Sequence, residues 1–182
     1  GIERTLRQAL VKEAIGDDSI VNPWFDVPRV FDVEPETVWG VTVGRHAATA
    51  AGGAWGYEPP IKTADDLRRL RQPRFTHNAR KTEERLAATA EALGGALPVR
   101  PRCGGLLSAT LGTAVAYLLG MGEMMLLMAA EPGMVHQVTR HVADAVAAAN
   151  RMLAEEGLLD RNNDAPMTCS DDFGPASAGA AV

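Results

Sequence analysis

The chain has 182 residues, 46% of them hydrophobic and 23% charged, with a formal net charge of −5. That length fits one globular domain or part of a larger one, and the apolar share excludes a disordered chain. The acidic balance, with aromatics at 5%, excludes a general nucleic-acid binder, because phosphate backbones attract excess Lys and Arg and single strands need stacking platforms.

Residues 1–15 read as an amphipathic helix with Leu6, Leu10 and Ala14 on one stripe, closed by Gly16. Short extended pieces follow around Ile20–Val21, Pro28–Val33 and Val38–Val43. Pro23, Pro28 and Pro35 make them poor central strands. Ala47 to Tyr57 is rich in Ala and Gly and reads as a loop. Thr63 caps a short helix from Ala64 to Arg71, with Asp66 in the reciprocal capping position. A stronger helix spans Arg80–Leu93 and stops at Gly94-Gly95.

Leu97 to Cys103 is a strand candidate placed directly after that helix. Two helical segments follow, Leu106–Leu119 and Glu123–Ala130. Pro132 then opens the best helix of the chain, Gly133–Glu156. Val135, Val138, Val142, Val146, Ala149 and Leu153 repeat every three or four residues along it, with charges opposite. Pro166 to Ser170 is the next strand candidate. Helix, strand, helices, strand is the rhythm of a parallel α/β sheet or barrel.

Gly104 to Gly122 carries no charge and approaches the length of a membrane span, about 20 residues. Its glycines, Ser108, Thr110 and Thr113, the Gly120-Met121-Gly122 breaker and the absence of flanking basic clusters favour a buried helix of a soluble protein. No membrane partner is expected. Cys103 and Cys169 do not make a disulfide framework. The opening GIERTLRQAL is a charged helix and not a secretory leader, so a cytoplasmic location is expected.

In parallel α/β folds ligands bind beyond the carboxyl ends of strands. Two sites follow. The first is Arg100, Arg102, Cys103 and Gly104. Arginines at i and i+2 share one side of a strand and fork onto carboxylates. Gly104-Gly105 at a helix start could receive an anion. An exposed pair in a Pro-rich loop is the competing reading. The second is Asn162-Asn163-Asp164 followed by Cys169-Ser170-Asp171-Asp172-Phe173-Gly174. Its carboxylates could act as acid, base or hydrogen-bond acceptor, while a solvated turn explains the same composition. His136 and His141 are five apart on one helix and do not make a zinc pair. Both read as surface residues. Met121, Met124, Met125 and Met128 read as core or pocket filling.

Pro98 to Gly174 resembles the middle of the uroporphyrinogen decarboxylase superfamily. The likeness rests on a strand followed by Gly104, on Glu131-Pro132-Gly133-Met134-Val135-His136 opening a long helix that ends at Gly157, and on the tip Ser170-Asp171-Asp172-Phe173-Gly174. Pro60-Ile61-Lys62 with Asp65-Asp66-Leu67 is similar to a family lead-in, and Leu159 to Asp164 is closer to an uncharacterised branch than to the porphyrin enzymes. The resemblance implies a (β/α)8 TIM barrel and decarboxylation of a small molecule carrying carboxylates, without a cofactor. It implies Asp171 as the catalytic strand-tip carboxylate, with Arg100, Arg102, Gly104, Asp164, Phe173 and Gly174 around the substrate. The alternatives are a zinc-dependent corrinoid-linked methyltransferase relative and a non-catalytic binding module. The family's Arg-rich amino-terminal signature and the relatives' His-x-Cys zinc pair are missing from these residues.

A complete barrel of this kind needs about 250 residues. The whole chain, 1–182, therefore reads as a single domain forming the amino-terminal to middle part of an open, partial barrel. Its last strand, near Met167–Ser170, would lack a following partner. Such an edge favours pairing with another chain, a homodimer included. The chain by itself is expected to be inactive.

Overall fold

The computed structural model describes residues 1–16, 21–47 and 56–160. The described chain is a mixed α/β protein. Its order is α1 (Ile2–Ile15), β1 (Phe25–Pro28), β2 (Phe31–Glu34), β3 (Gly44–His46), β4 (Gly56–Glu58), a 3-10 helix (Ala64–Arg69), β5 (Arg74–His77), α2 (Ala79–Leu93), β6 (Val99–Arg102), α3 (Leu111–Leu119), α4 (Met121–Ala130) and α5 (Pro132–Glu155). Among the described residues the strands form three two-stranded sheets: β1 with β6, β2 with β5 and β3 with β4. The expected strand near Met167–Ser170 lies outside the described residues.

The chain divides into two compact units. Among the described residues, one holds those of Gly1–Pro28 and Arg80–Gly104 together with Asp160; the other holds those of Arg29–Ala79 and Gly105–Leu159. In the first, β1 and β6 run parallel, with Phe25 opposite Val99 and Pro28 opposite Arg102. Pro98 and Pro101 are tolerated because the sheet has only these two strands among the described residues, which leaves Pro101 on an outer edge. Val27 is buried, as is Thr82 on α2. Helix α1 closes at Gly16 in the left-handed conformation, φ 68°, as its sequence foretold. None of its side chains is buried, and Leu10, Val11 and Ile15 are exposed.

In the second unit the apolar stripe of α5 lies in the core. Met134, Val135, Val138 and Val142 are buried with Val115, Leu118 and Leu119 of α3, Met124 of α4, and Val41 and Ile61 from the preceding loops. The expected stripe is correct, and Pro132 opens the helix. Helices α3 and α4 meet at Gly120 with a bend of 93°. Gly120 has φ 88°, and a Cβ there would stand 3.2 Å from the Pro59 ring, so only glycine suits the corner. Among the described residues no single helix is long and apolar enough to cross a membrane.

Several local expectations are corrected. Helix α3 starts at Leu111 rather than Leu106. Before it, the Ser108 and Thr110 hydroxyls bond each other at 2.5 Å, and Ser108 Oγ accepts the Thr110 N–H. Such side-chain bonds compete with the helical backbone. Val38–Val43 is not a strand. Val38 N–H donates to Pro35 O in a turn, and Val38 itself takes φ 66°, an uncommon conformation for a β-branched residue. Gly56–Glu58 was expected to be loop as far as Tyr57, yet it pairs with Gly44–His46. Strand β5 was not foreseen; it pairs antiparallel with β2. Only Met124 of the methionine run is buried, while Met121, Met125 and Met128 are exposed.

Candidate functional site

The parallel pair β1–β6 carries a polar face. Residues directly opposite in a ladder share a side, so Trp24, Asp26 and Pro28 of the β1 segment face the same way as Arg100 and Arg102 of β6. The Arg100 guanidinium lies over the Trp24 ring, 4.2 Å from its centroid, a cation–π contact. Arg102 reaches diagonally to Asp26, Nη1 to Oδ2 at 3.2 Å. Both groups of that pair are more than two-thirds buried. Trp24 Nε1 is buried without a hydrogen-bond partner among the described residues.

Arg102 is the last residue of β6, so this ion pair stands at the carboxyl end of the strand. Cys103 follows, buried, its thiol donating to Gly104 O at 3.3 Å. The chain leaves β6 there and returns at Asp160. Asp160 N–H donates to Cys103 O at 2.9 Å, and its carboxylate accepts the Cys103 N–H at 2.6 Å. This reciprocal pair fixes Asp160 beside the strand end. Arg85 of α2 donates to Pro28 O, the last residue of β1, at 3.3 Å. Arg102, Cys103 and Asp160 thus lie at or just beyond the carboxyl end of β6, while Asp26 and Arg100 pair one step in from the amino ends of the two strands.

Of the residues singled out in the sequence, Arg100, Arg102 and Gly104 belong to this face or to its exit. Nothing lies within 4 Å of the Cβ position at Gly104, so the backbone there is open. Asp164, Asp171, Phe173 and Gly174 lie outside the described residues. Sequence reasoning missed Trp24, Asp26 and Asp160. The alternation Trp24-Phe25-Asp26-Val27 was the available signal for the first two. Among the described residues no group of three or more His, Cys, Asp or Glu side chains is placed to hold a metal ion.

His136 is exposed, as expected. His141 is instead tied in: Gln72 Nε2 donates to His141 O at 3.0 Å and meets Nδ1 at 3.2 Å, while Nε2 of the ring stands 3.1 Å from Arg71 O. It fastens α5 to the residues after the 3-10 helix.

In the other unit a cleft of about 330 Å³ is lined by Thr42, Gly44, Glu58, Pro60, Lys62, Asp66 and Arg69. Glu58 accepts Lys62 Nζ at 3.0 Å and His46 Nε2 at 3.4 Å. These two contacts, Lys62 above all, hold its carboxyl below the usual range. Asp66 closes the capping box foreseen in the sequence. Its Oδ2 accepts the Lys62 and Thr63 backbone N–H groups and the Thr63 hydroxyl, and Oδ1 accepts Arg69 Nη1. The backbone N–H of Lys62 and the Thr63 groups lower its pKa to about 2.

No known family, curated protein or solved structure matches this chain.

Proposed function

We propose that the chain is part of a uroporphyrinogen decarboxylase-like enzyme, a partial (β/α)8 barrel acting on a small molecule that carries carboxylates. The observation that carries this reading is the placement of Arg102, in its ion pair with Asp26, at the carboxyl end of a parallel strand pair. That is where α/β folds bind ligands. Arg102 offers a planar fork suited to a carboxylate. Asp26 accepts from one nitrogen of that fork, Nη1, and a substrate carboxylate would compete for that contact.

The reaction that the sequence resemblance implies removes an acetate carboxylate as carbon dioxide and places a proton on the carbon left behind. Arg102 and Arg100 would hold carboxylates that do not react. Asp171, by the same resemblance, would accept hydrogen bonds from the substrate at the strand tip. The β6–helices–Asp160 return supports the α/β order on which this depends, since the chain comes back to the end of β6 at Cys103.

Fluorescence titration with uroporphyrin, the stable oxidised analogue of the porphyrinogen, tests the reading. Saturable binding that weakens at least about tenfold, about 1.4 kcal/mol, in Arg102→Gln is expected. Undiminished binding in that variant, or none in the parent chain, overturns it.

A further inference from the structure

The charges around the cleft between β3, β4 and the 3-10 helix are evenly matched in sign but unequally engaged. Asp66 accepts four hydrogen bonds from Lys62, Thr63 and Arg69, three on Oδ2 and one on Oδ1, so most of its acceptor capacity is engaged. Glu58 has a cationic or imidazole partner on each oxygen. The cations have more to give. A guanidinium carries five N–H donors and an ammonium three. Among the described residues the Arg69 guanidinium donates only to Asp66 and the Lys62 ammonium only to Glu58. Both side chains remain more than half exposed. The unused hydrogen-bonding capacity of the cleft is therefore dominated by charged donors.

These donors are held in place. The capping box fixes the backbone at Lys62 and Thr63 on Asp66, and the same carboxylate tethers Arg69 from the next turn. The volume, about 330 Å³, sits at the small end of ligand sites, roughly 300–1,000 Å³. We propose that this cleft binds a small oxyanion-bearing molecule, a carboxylate or a phosphate, gripped jointly by Lys62 and Arg69. The site uses no residue of β1 or β6 and does not depend on the activity assigned to them. The low pKa of Asp66 keeps its carboxylate ionised, so the tether on Arg69 persists across the physiological range.

The test is a 15N–1H NMR titration of the full chain with sodium acetate and, separately, inorganic phosphate, at ionic strength held constant with chloride. Saturable shifts of the Lys62, Asp66 and Arg69 amides are expected, with a Kd on the order of millimolar. The tighter of the two anions identifies the ligand class. Arg69→Gln should weaken binding at least about tenfold, about 1.4 kcal/mol. Lys62→Gln, which leaves the Asp66 tether on Arg69 intact, should weaken it as well, and the same spectra report whether each variant is folded. No saturable shift at these amides with either anion, or undiminished affinity in the folded variants, overturns the proposal.

Discussion

Replacing Asp26 by Asn removes the charge from the Arg102 pair while keeping its shape. At 3.2 Å and an effective dielectric of 20, the direct attraction is about 5 kcal/mol. Most of it is offset, because both groups have given up hydration: their side chains are 21% and 30% exposed. Fully exposed pairs are worth about 0.2–1 kcal/mol, and breaking a buried pair costs about 3–5 kcal/mol. This pair lies between, so Asp26→Asn should cost about 1–3 kcal/mol. In a protein of this size that lowers Tm by about 3–9 °C. A double-mutant cycle with Arg102→Gln, followed by urea unfolding, isolates the coupling, expected at about 1–2 kcal/mol. The same Asn variant should bind uroporphyrin more tightly, since the internal competitor for the Arg102 fork has lost its charge. A coupling below about 0.3 kcal/mol, within the scatter of independent sites, would refute the claim that these groups are partners at the strand ends.

Leu118 and Val138 are fully buried in the α3–α5 core, so Leu118→Ala should cost about 2–5 kcal/mol in urea unfolding, against less than about 0.5 kcal/mol for a change at exposed Glu91. Gly120→Ala meets both a positive φ and the Pro59 ring and should cost about 1–3 kcal/mol; Gly16→Ala, at φ 68° with open space around it, should cost only about 1–2 kcal/mol, and thermal melts compare the two. Asp66, whose pKa is lowered to about 2 from 3.8, contributes stability that is present above the unfolded value and lost as pH falls through the folded one. Acid titration of Tm should therefore fall more steeply between about pH 4 and 2 in the parent chain than in Asp66→Asn, and parallel curves would contradict that assignment.

The elements that could be read from the sequence are those whose signals are local. The α5 stripe, its opening Pro132, the Gly16 and Gly94 stops and the Thr63–Asp66 box each depend on residues within one or two turns. Strand β5 escaped because Arg74-Phe75-Thr76-His77 is a four-residue alternation whose meaning comes from β2, more than forty residues earlier in sequence. The exposed methionines of α4 escaped because spacing alone does not say which sides of an apolar helix find partners; only Met124 does. For the site, Arg100 and Arg102 stood out as a charged pair at a strand end. Their partners did not, because Trp24 and Asp26 sit on a strand remote in sequence and reach β6 only through parallel pairing.

The most direct test of the proposed substrate site is the location of binding. In a 15N–1H titration of the full chain with uroporphyrin, the shifts should centre on Val27, Arg102, Cys103 and Asp160, at the carboxyl ends of β1 and β6. Shifts confined to other elements, or no saturable shift at these residues, would contradict a carboxylate site at these strand ends.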